Sequence, residues 1–541
     1  MSFYSKQNPA TGMLGDCAPV DPVLRGGNLL ALLASIMVLT GCVTPQNPVH
    51  ETANSDQGGV NPASPSVVFP KSVEEDMESR YRTPDFAWRS GVEMSEDARK
   101  MAATDLAGAR VLWGKAWKCF VWSLQQRPNH YDAIYDFAFA MDKESEAVAK
   151  TDLAVARELW LQAEAEYGKA LKLEPWKSGP ANNCGVMLDR SAQAVAAVNL
   201  PEAQALWERA AAVLKWALDN LPNQHGAANN WGNALNEEAK ALSRTDLPAA
   251  RALWKKAAEK YQLALKIKPD KYSALKNWGI ALTEEAKVVG EVDRPAALDL
   301  WHQALEKYER AMKLKSDDDG AALIWGNGLS GEADIIAEDN LPEARRLWSE
   351  SAAKFRRALA LNSKGYLAAD NWGVALEHEA RAVADMDPAT SLALWRDAAA
   401  KFQMSLAIRP GYGPALIGWG DELDVEGLRV AGNDLPAARR LWAQAGEKFR
   451  QALEAEPCAL AADDWGCVLN HEAEAVANVD LPEARRLWGI AHQKFDLALK
   501  NDPHYARAAC LWGVCLHIEA QALSKHSDPE ARSLLEAAQG M

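Results

Sequence analysis

A tryptophan recurs every 47 residues along most of this chain. Trp113, Trp160, Trp207, Trp254, Trp301, Trp348, Trp395 and Trp442 are evenly spaced, and Trp488 follows after 46. A second ladder with the same period and the same single deletion runs Phe137, Cys184, Trp231, Trp278, Trp325, Trp372, Trp419, Trp465 and Trp512. Sixteen of the 21 Trp in 541 residues stand on these two ladders, so the excess of this residue belongs to the repeat. A period of this size means one supersecondary unit stacked on copies of itself, since no single copy can bury its apolar face alone. Both ladders therefore read as core filling.

The text between the ladders names the unit. Seven residues after each first-ladder Trp stands an aromatic residue in eight of nine units, from Phe120 to Phe495, with Leu214 the exception. Small residues lie at +3 and +10, as in Ala257 and Ala264, and Pro lies at +15 in seven units, from Pro128 to Pro503. This A-x3-[FY]-x2-A-L-x4-P string resembles the second helix of a tetratricopeptide repeat, and the pairs Trp231-Gly232 through Trp512-Gly513 resemble the Leu-Gly of its first helix. The resemblance covers roughly residues 84–541 and implies an all-α fold, a right-handed superhelical solenoid of antiparallel helix pairs with about nine and a half repeats. HEAT or armadillo repeats share the period but leave the aromatic-Ala-Pro spacing unexplained. A tetratricopeptide repeat has about 34 residues, so roughly 13 extra fall between the two helices and would add about 3.6 turns. Asp480-Leu481-Pro482-Glu483 reads as the turn there, with an N-cap acid, Pro in the first turn and Glu at the capping-box position.

Ahead of the array, Leu29 to Leu39 form a short apolar run after Arg25 that ends in Leu39-Thr40-Gly41-Cys42. The run is too short for a permanent membrane span and fits a signal-peptide core. The tetrapeptide resembles the lipobox of bacterial lipoproteins, which implies cleavage after residue 41 and a lipid on Cys42. Met1 to Asn28 contains Asp16 and Asp21, unusual in a signal n-region, and a start near Val23 would give a compact leader. Val43 after the Cys implies outer-membrane destination, with the periplasmic side expected. Residues 42–83, rich in Pro, Asn, Ser and Gly, read as a disordered tether.

An acid stands thirteen residues before an Arg in Asp97/Arg110, Glu144/Arg157, Glu238/Arg251, Glu332/Arg345, Glu426/Arg439, Glu472/Arg485 and Glu519/Arg532. Across a hairpin these could meet as structural ion pairs. Acid-base catalysis asks for one tuned pair in a pocket, not seven copies, and no nucleophile, phosphate-loop or metal motif suggests an enzyme.

In the family resembled, first helices line the ligand groove. The residue before the second ladder is Asn183, Asn230, Asn277, Asn371 or Asp464 in five units, and Asn233, Asn236, Asn327 and Asp421 follow within two turns. Amides both donate and accept, which suits the backbone of an extended peptide. The rival reading is solvated residues beside a buried Trp. These positions carry almost no Lys or Arg, so a neutral or basic protein segment is the expected partner. The net charge of −15 would repel nucleic acid. No cofactor is implied. Cys467 and His471 on one helix, with Cys510 and His517 on the next first helix, are weak candidates for a metal or small-ligand receptor. The leading expectation is a lipid-anchored protein-interaction scaffold of the cell envelope.

Overall fold

The computed structural model describes residues 83–503, 505–525 and 528–540, and its regular elements are all α-helices. The leader, Cys42 and all of the tether but Thr83 lie outside the described residues. The chain divides into two compact units, up to Pro269 and from Asp270. In the first, four hairpins pair α1 (Pro84–Met101) with α2 (Leu106–Gln126), α3 (Tyr131–Val148) with α4 (Leu153–Leu173), α5 (Gly179–Ala196) with α6 (Leu200–Asn220), and α7 (His225–Leu242) with α8 (Leu247–Ile267). In the second, six hairpins pair α9 (Tyr272–Gly290) with α10 (Arg294–Leu314), α11 (Asp319–Ile336) with α12 (Leu341–Leu361), and α13 (Tyr366–Val383) with α14 (Pro388–Ile408). They continue with α15 (Gly413–Ala431) and α16 (Leu435–Ala455), α17 (Ala459–Val476) and α18 (Leu481–Asn501), α19 (Ala506–Lys525) and α20 (Glu530–Gly540).

The thirteen extra residues lengthen both helices, as the spacing implies. In the fourth hairpin α7 has 18 residues and α8 has 21, joined by a short turn. An acid or amide ends each such turn: Asp246 accepts the Ala249 N–H at 3.0 Å and Asp480 the Glu483 N–H at 3.0 Å. The capping box does not close. The Asp480 N–H already donates to the Val476 carbonyl, and the Glu483 carboxylate takes Arg486 and Arg439 instead, each at 2.7 Å.

Packing explains the repeat string. On α14, Trp395, Ala398, Phe402 and Ser405 form one buried stripe, the i, i+3, i+7, i+10 face of a helix. Phe402 lies flat on Gly373 of α13, where an added Cβ would stand 2.6 Å from the ring. Phe449 covers Gly420 of α15 in the same way, again at 2.6 Å. The Trp-Gly pair and the aromatic, which carried the tetratricopeptide resemblance, are thus two halves of one contact, and the array is a tetratricopeptide-like helical solenoid.

Within each unit the first helices of successive hairpins touch one another, α5 with α7 and α17 with α19 most extensively, while each second helix packs on the two first helices flanking it. The first helices therefore line the inner side of each unit.

Candidate functional site: the inner helices

The polar residues expected to form a groove are largely engaged inside the array. Asn236 on α7 is buried and accepts the indole N–H of Trp254 at 3.0 Å. The residue eighteen before the first-ladder Trp does the same elsewhere: Asp189 for Trp207 at 3.0 Å, Asp424 for Trp442 at 2.9 Å, Asn470 for Trp488 at 3.1 Å. Each belongs to a hairpin's own core, because a buried indole N–H needs an acceptor. Asn236 is thus a structural residue.

Between the sixth and seventh hairpins the residue before the second ladder meets the residue two after it on the preceding hairpin. Asn371 donates to Asn327 at 2.8 Å. Asn183 donates to the hydroxyl of Tyr135 at 2.7 Å, Asn233 accepts from Tyr261 at 2.9 Å, and Asn230 accepts from Asn229 at 3.2 Å. Asn277 is half-buried. Asp464 and Asp421 occupy the same pair of positions as Asn371 and Asn327, so two carboxylates face each other where two amides bond. Burial, Asp464 and Glu377 together push the Asp421 carboxyl well up. Asp464 is also raised by burial, against the pull of Arg507, which holds it at 2.7 Å. Arg381 bonds Glu377 at 2.6 Å and reaches Asp421 at 3.6 Å.

The ion pairs form, but in a different register from that expected. Arg110 meets Glu144, Arg345 meets Glu379 at 2.9 Å, and Arg439 meets Glu472 at 2.7 Å, each Arg reaching the acid of the next hairpin. Asp97 pairs with Lys100, so Asp97/Arg110 is not a pair. Where the preceding hairpin lacks that Arg, another base serves: His302 for Glu332 at 2.8 Å, Arg396 for Glu426 at 3.2 Å. Arg157, facing Ser191 rather than an acid, turns to Glu202 at 2.6 Å, and Arg485 to Asp528 at 2.9 Å and Glu530 at 2.6 Å. Glu519 is bonded by His492 at 2.9 Å, and Arg532 by Glu536. Glu144/Arg157, Glu332/Arg345, Glu426/Arg439, Glu472/Arg485 and Glu519/Arg532 are therefore corrected: the acid is served by the hairpin before it. Two long helices side by side stagger, so an acid low on a first helix lies nearer the second helix behind it than its own partner beyond the turn. Glu238/Arg251 is corrected as well. Glu238 is half-buried on α7, raised by burial and by Glu208, and the cation that opposes this is Lys256, whereas Arg251 stands on the exposed side of α8.

A second ladder of contacts escaped the sequence reading. Lys260 lies 3.9 Å over the Trp231 ring, Lys307 4.6 Å over Trp278, Lys354 3.6 Å over Trp325, Lys401 4.2 Å over Trp372, Lys448 3.8 Å over Trp419 and Lys494 3.5 Å over Trp465. Each Lys is 29 residues after its Trp. Where the ladder holds Phe137 or Cys184, the corresponding residue is Glu166 or Val213. Lysine accompanies the ladder Trp in six of seven units and is missing in both units that lack the Trp, which is the signal that would have found them.

The four metal candidates are not gathered. His471 is bonded to Asp424 at 2.9 Å, His517 to Gln521 at 2.8 Å, burial pushes the Cys467 thiol well up, and Cys510 is exposed. Among the described residues no three His, Cys, Asp or Glu side chains are placed to hold a metal ion. A cavity of about 380 Å³ between α12 and α13 is lined by Trp348 and Trp372, with the Arg345 and Glu379 pair at its rim.

No family model and no curated protein matches the chain. Among solved structures it is similar to the crystal structure of MamA, at 19% identity over 40% of this chain and 94% of that one, with a TM-score of 0.25. It is also similar to YrrB, described as a tetratricopeptide-repeat protein with an unusual peptide-binding site, at 15% identity over 46% and 96% with a TM-score of 0.26. The C-terminal part of a tetratricopeptide repeat-containing protein from Cytophaga hutchinsonii matches at 14% identity over 60% and 98%, with a TM-score of 0.30.

Proposed function

We propose that the protein is a non-enzymatic interaction scaffold of the bacterial cell envelope, which holds an extended segment of a partner protein along its inner helices. The observation that carries this reading is a polar residue one before the second ladder in six of nine units, Asp136, Asn183, Asn230, Asn277, Asn371 and Asp464, joined by Asn233, Asn327 and Asp421 two after it, on helices that line the inner side of each unit. A polypeptide is itself a repeating ligand, and equally spaced contacts suit it better than one deep pocket would. The acids Asp421, Asp464 and Glu377 on this face favour a neutral or basic segment. Lipidation of Cys42 would tether the array to the periplasmic side of the outer membrane. A photo-crosslinking residue placed at Val374 on an inner helix, and separately at Lys313 on an exposed second-helix face, tests the scaffold in cells. Crosslinks to a defined protein from Val374 alone are the expected result. Equal capture at both sites, or none, overturns it. Fatty-acid labelling that persists in Cys42→Ser would remove the anchor.

A further inference from the structure

Arg507 on α19 shows how the inner face receives a cation. It stands five residues before Trp512 and reaches back to α17, one nitrogen 3.0 Å from Asp463 and another 2.7 Å from Asp464. Asp463 is two residues before its ladder Trp. The residue at that position two hairpins earlier is Asp370, two before Trp372. Asp370 is only 4% exposed, its Oδ1 has no hydrogen-bond partner, and among the described residues no cation pairs with it. The place from which an arginine would come, five residues before Trp419, is held by Pro414, which has neither charge nor N–H.

The carboxylates around Asp370 do not relieve it. Glu377 follows seven residues later on the same face of α13 and adds to the burial that lifts the Asp370 carboxyl to about 7. Across from Glu377 lies Asp421 of α15, whose side chain is 20% exposed. Arg381, the cation shared by Glu377 and Asp421, is itself 57% exposed. With no three metal-ligating groups converging among the described residues, the missing cation must bring its own hydrogen-bond donors.

We propose that Asp370 is the receptor for a cationic side chain of the bound polypeptide, a guanidinium above all, in the position that Arg507 fills from within the chain two hairpins on, with Glu377 and Asp421 about two turns along the face adding to the negative field that draws it in. A planar fork meets a carboxylate with two parallel N–H groups, whereas an ammonium answers it only as a point charge. This rests on the scaffold reading and names what the second unit selects in its partner.

The test uses the full-length protein and a fluorescent Gly-Ser peptide carrying two arginines, compared by anisotropy with the same peptide carrying citrulline. The arginine probe is expected to bind at least about tenfold more tightly. Asp370→Asn should erase most of that difference. Pro414→Arg should do the same by filling the receptor internally, and should raise Tm. Glu338→Gln, an acid 81% exposed, should change neither. Equal loss in all three variants would reduce the effect to bulk charge and overturn the proposal, as would no loss in Asp370→Asn and Pro414→Arg. Inner-face crosslinks to a protein whose binding ignores Asp370→Asn would sink the receptor and leave the scaffold. The reverse pattern, specific arginine binding without inner-face crosslinks, would sink the scaffold and leave the receptor.

Discussion

Gly373 and Phe402 show the repeat at the scale of one contact. A methyl at residue 373 would meet the ring at 2.6 Å, and the ring cannot retreat because Phe402 is fully buried. Gly373→Ala is expected to destabilise by about 1–3 kcal/mol, the usual cost of overpacking, read as a lower midpoint in urea. Ala138 stands at the same position against Tyr167 in the second hairpin, so a hairpin built around Ala exists in this chain. The defect should therefore be local strain without loss of the fold. His471 belongs to this scale too. Burial opposes its charge, but the Asp424 carboxylate at 2.9 Å outweighs burial and raises its pKa above the ordinary value. Asp424 also accepts from Trp442, so one carboxylate joins an indole of the eighth hairpin to an imidazolium of the ninth.

Between elements, two kinds of charge contact tie the array together. The Arg345–Glu379 bond, with Arg345 half-exposed, joins successive hairpins and is worth no more than about 1 kcal/mol. The Lys-over-Trp contact lies inside one hairpin and is better shielded. A double-mutant cycle on Lys401→Met and Trp372→Leu should return a coupling of about 0.5–1 kcal/mol that persists in 1 M salt, whereas the coupling of Arg345 and Glu379 should fade. A Lys401 coupling indistinguishable from zero would mean that the lysine merely lies along the ring. The alternation between the two contacts orders the stack: one fixes the angle within a hairpin, the other the stagger to its neighbour.

Across the whole molecule the buried acids dominate the response to pH. Burial raises Asp189 and Asp463 to about 6 and Asp370 and Glu422 to about 7, each with further contributions from nearby charges. The folded chain thus holds these protons more tightly than the unfolded chain does. Their stabilisation is complete below the unfolded pKa of about 4 and is lost as pH rises through the folded values. His471 and His378 have the same sign: their raised pKa values add stability at low pH that disappears as pH climbs past them. Glu447 and Glu483, held at about 2 by Arg450 and Arg486, act oppositely, but Glu447 is exposed, Glu483 is only half-buried, and such surface pairs contribute little. Thermal stability should therefore fall from about pH 5 to pH 8. In Asp370→Asn the decline should be shallower, with a higher Tm at pH 8 and little change at pH 4.5. A profile that rises across this range would contradict the dominance of burial at these carboxyls.

Period and polarity by themselves determined the class of fold and the hairpin's inner logic. Trp-Gly, the aromatic seven residues after the next Trp, the small residues around it and the Asp-Leu-Pro turn are all local, and a stripe that recurs every 47 residues is visible without coordinates. Tertiary structure alone decided who meets whom between hairpins. The thirteen-residue spacing of acid and arginine looked like a partnership within a hairpin because both lie near one turn, yet Arg345 and Glu379 are 34 residues apart. Asn236 reads as a groove amide until Trp254 is seen to need it. Such choices depend on the stagger of neighbouring helices and on which polar atoms packing leaves without water. A linear period is silent on both, because every repeat offers the same residue types to its own hairpin and to the next.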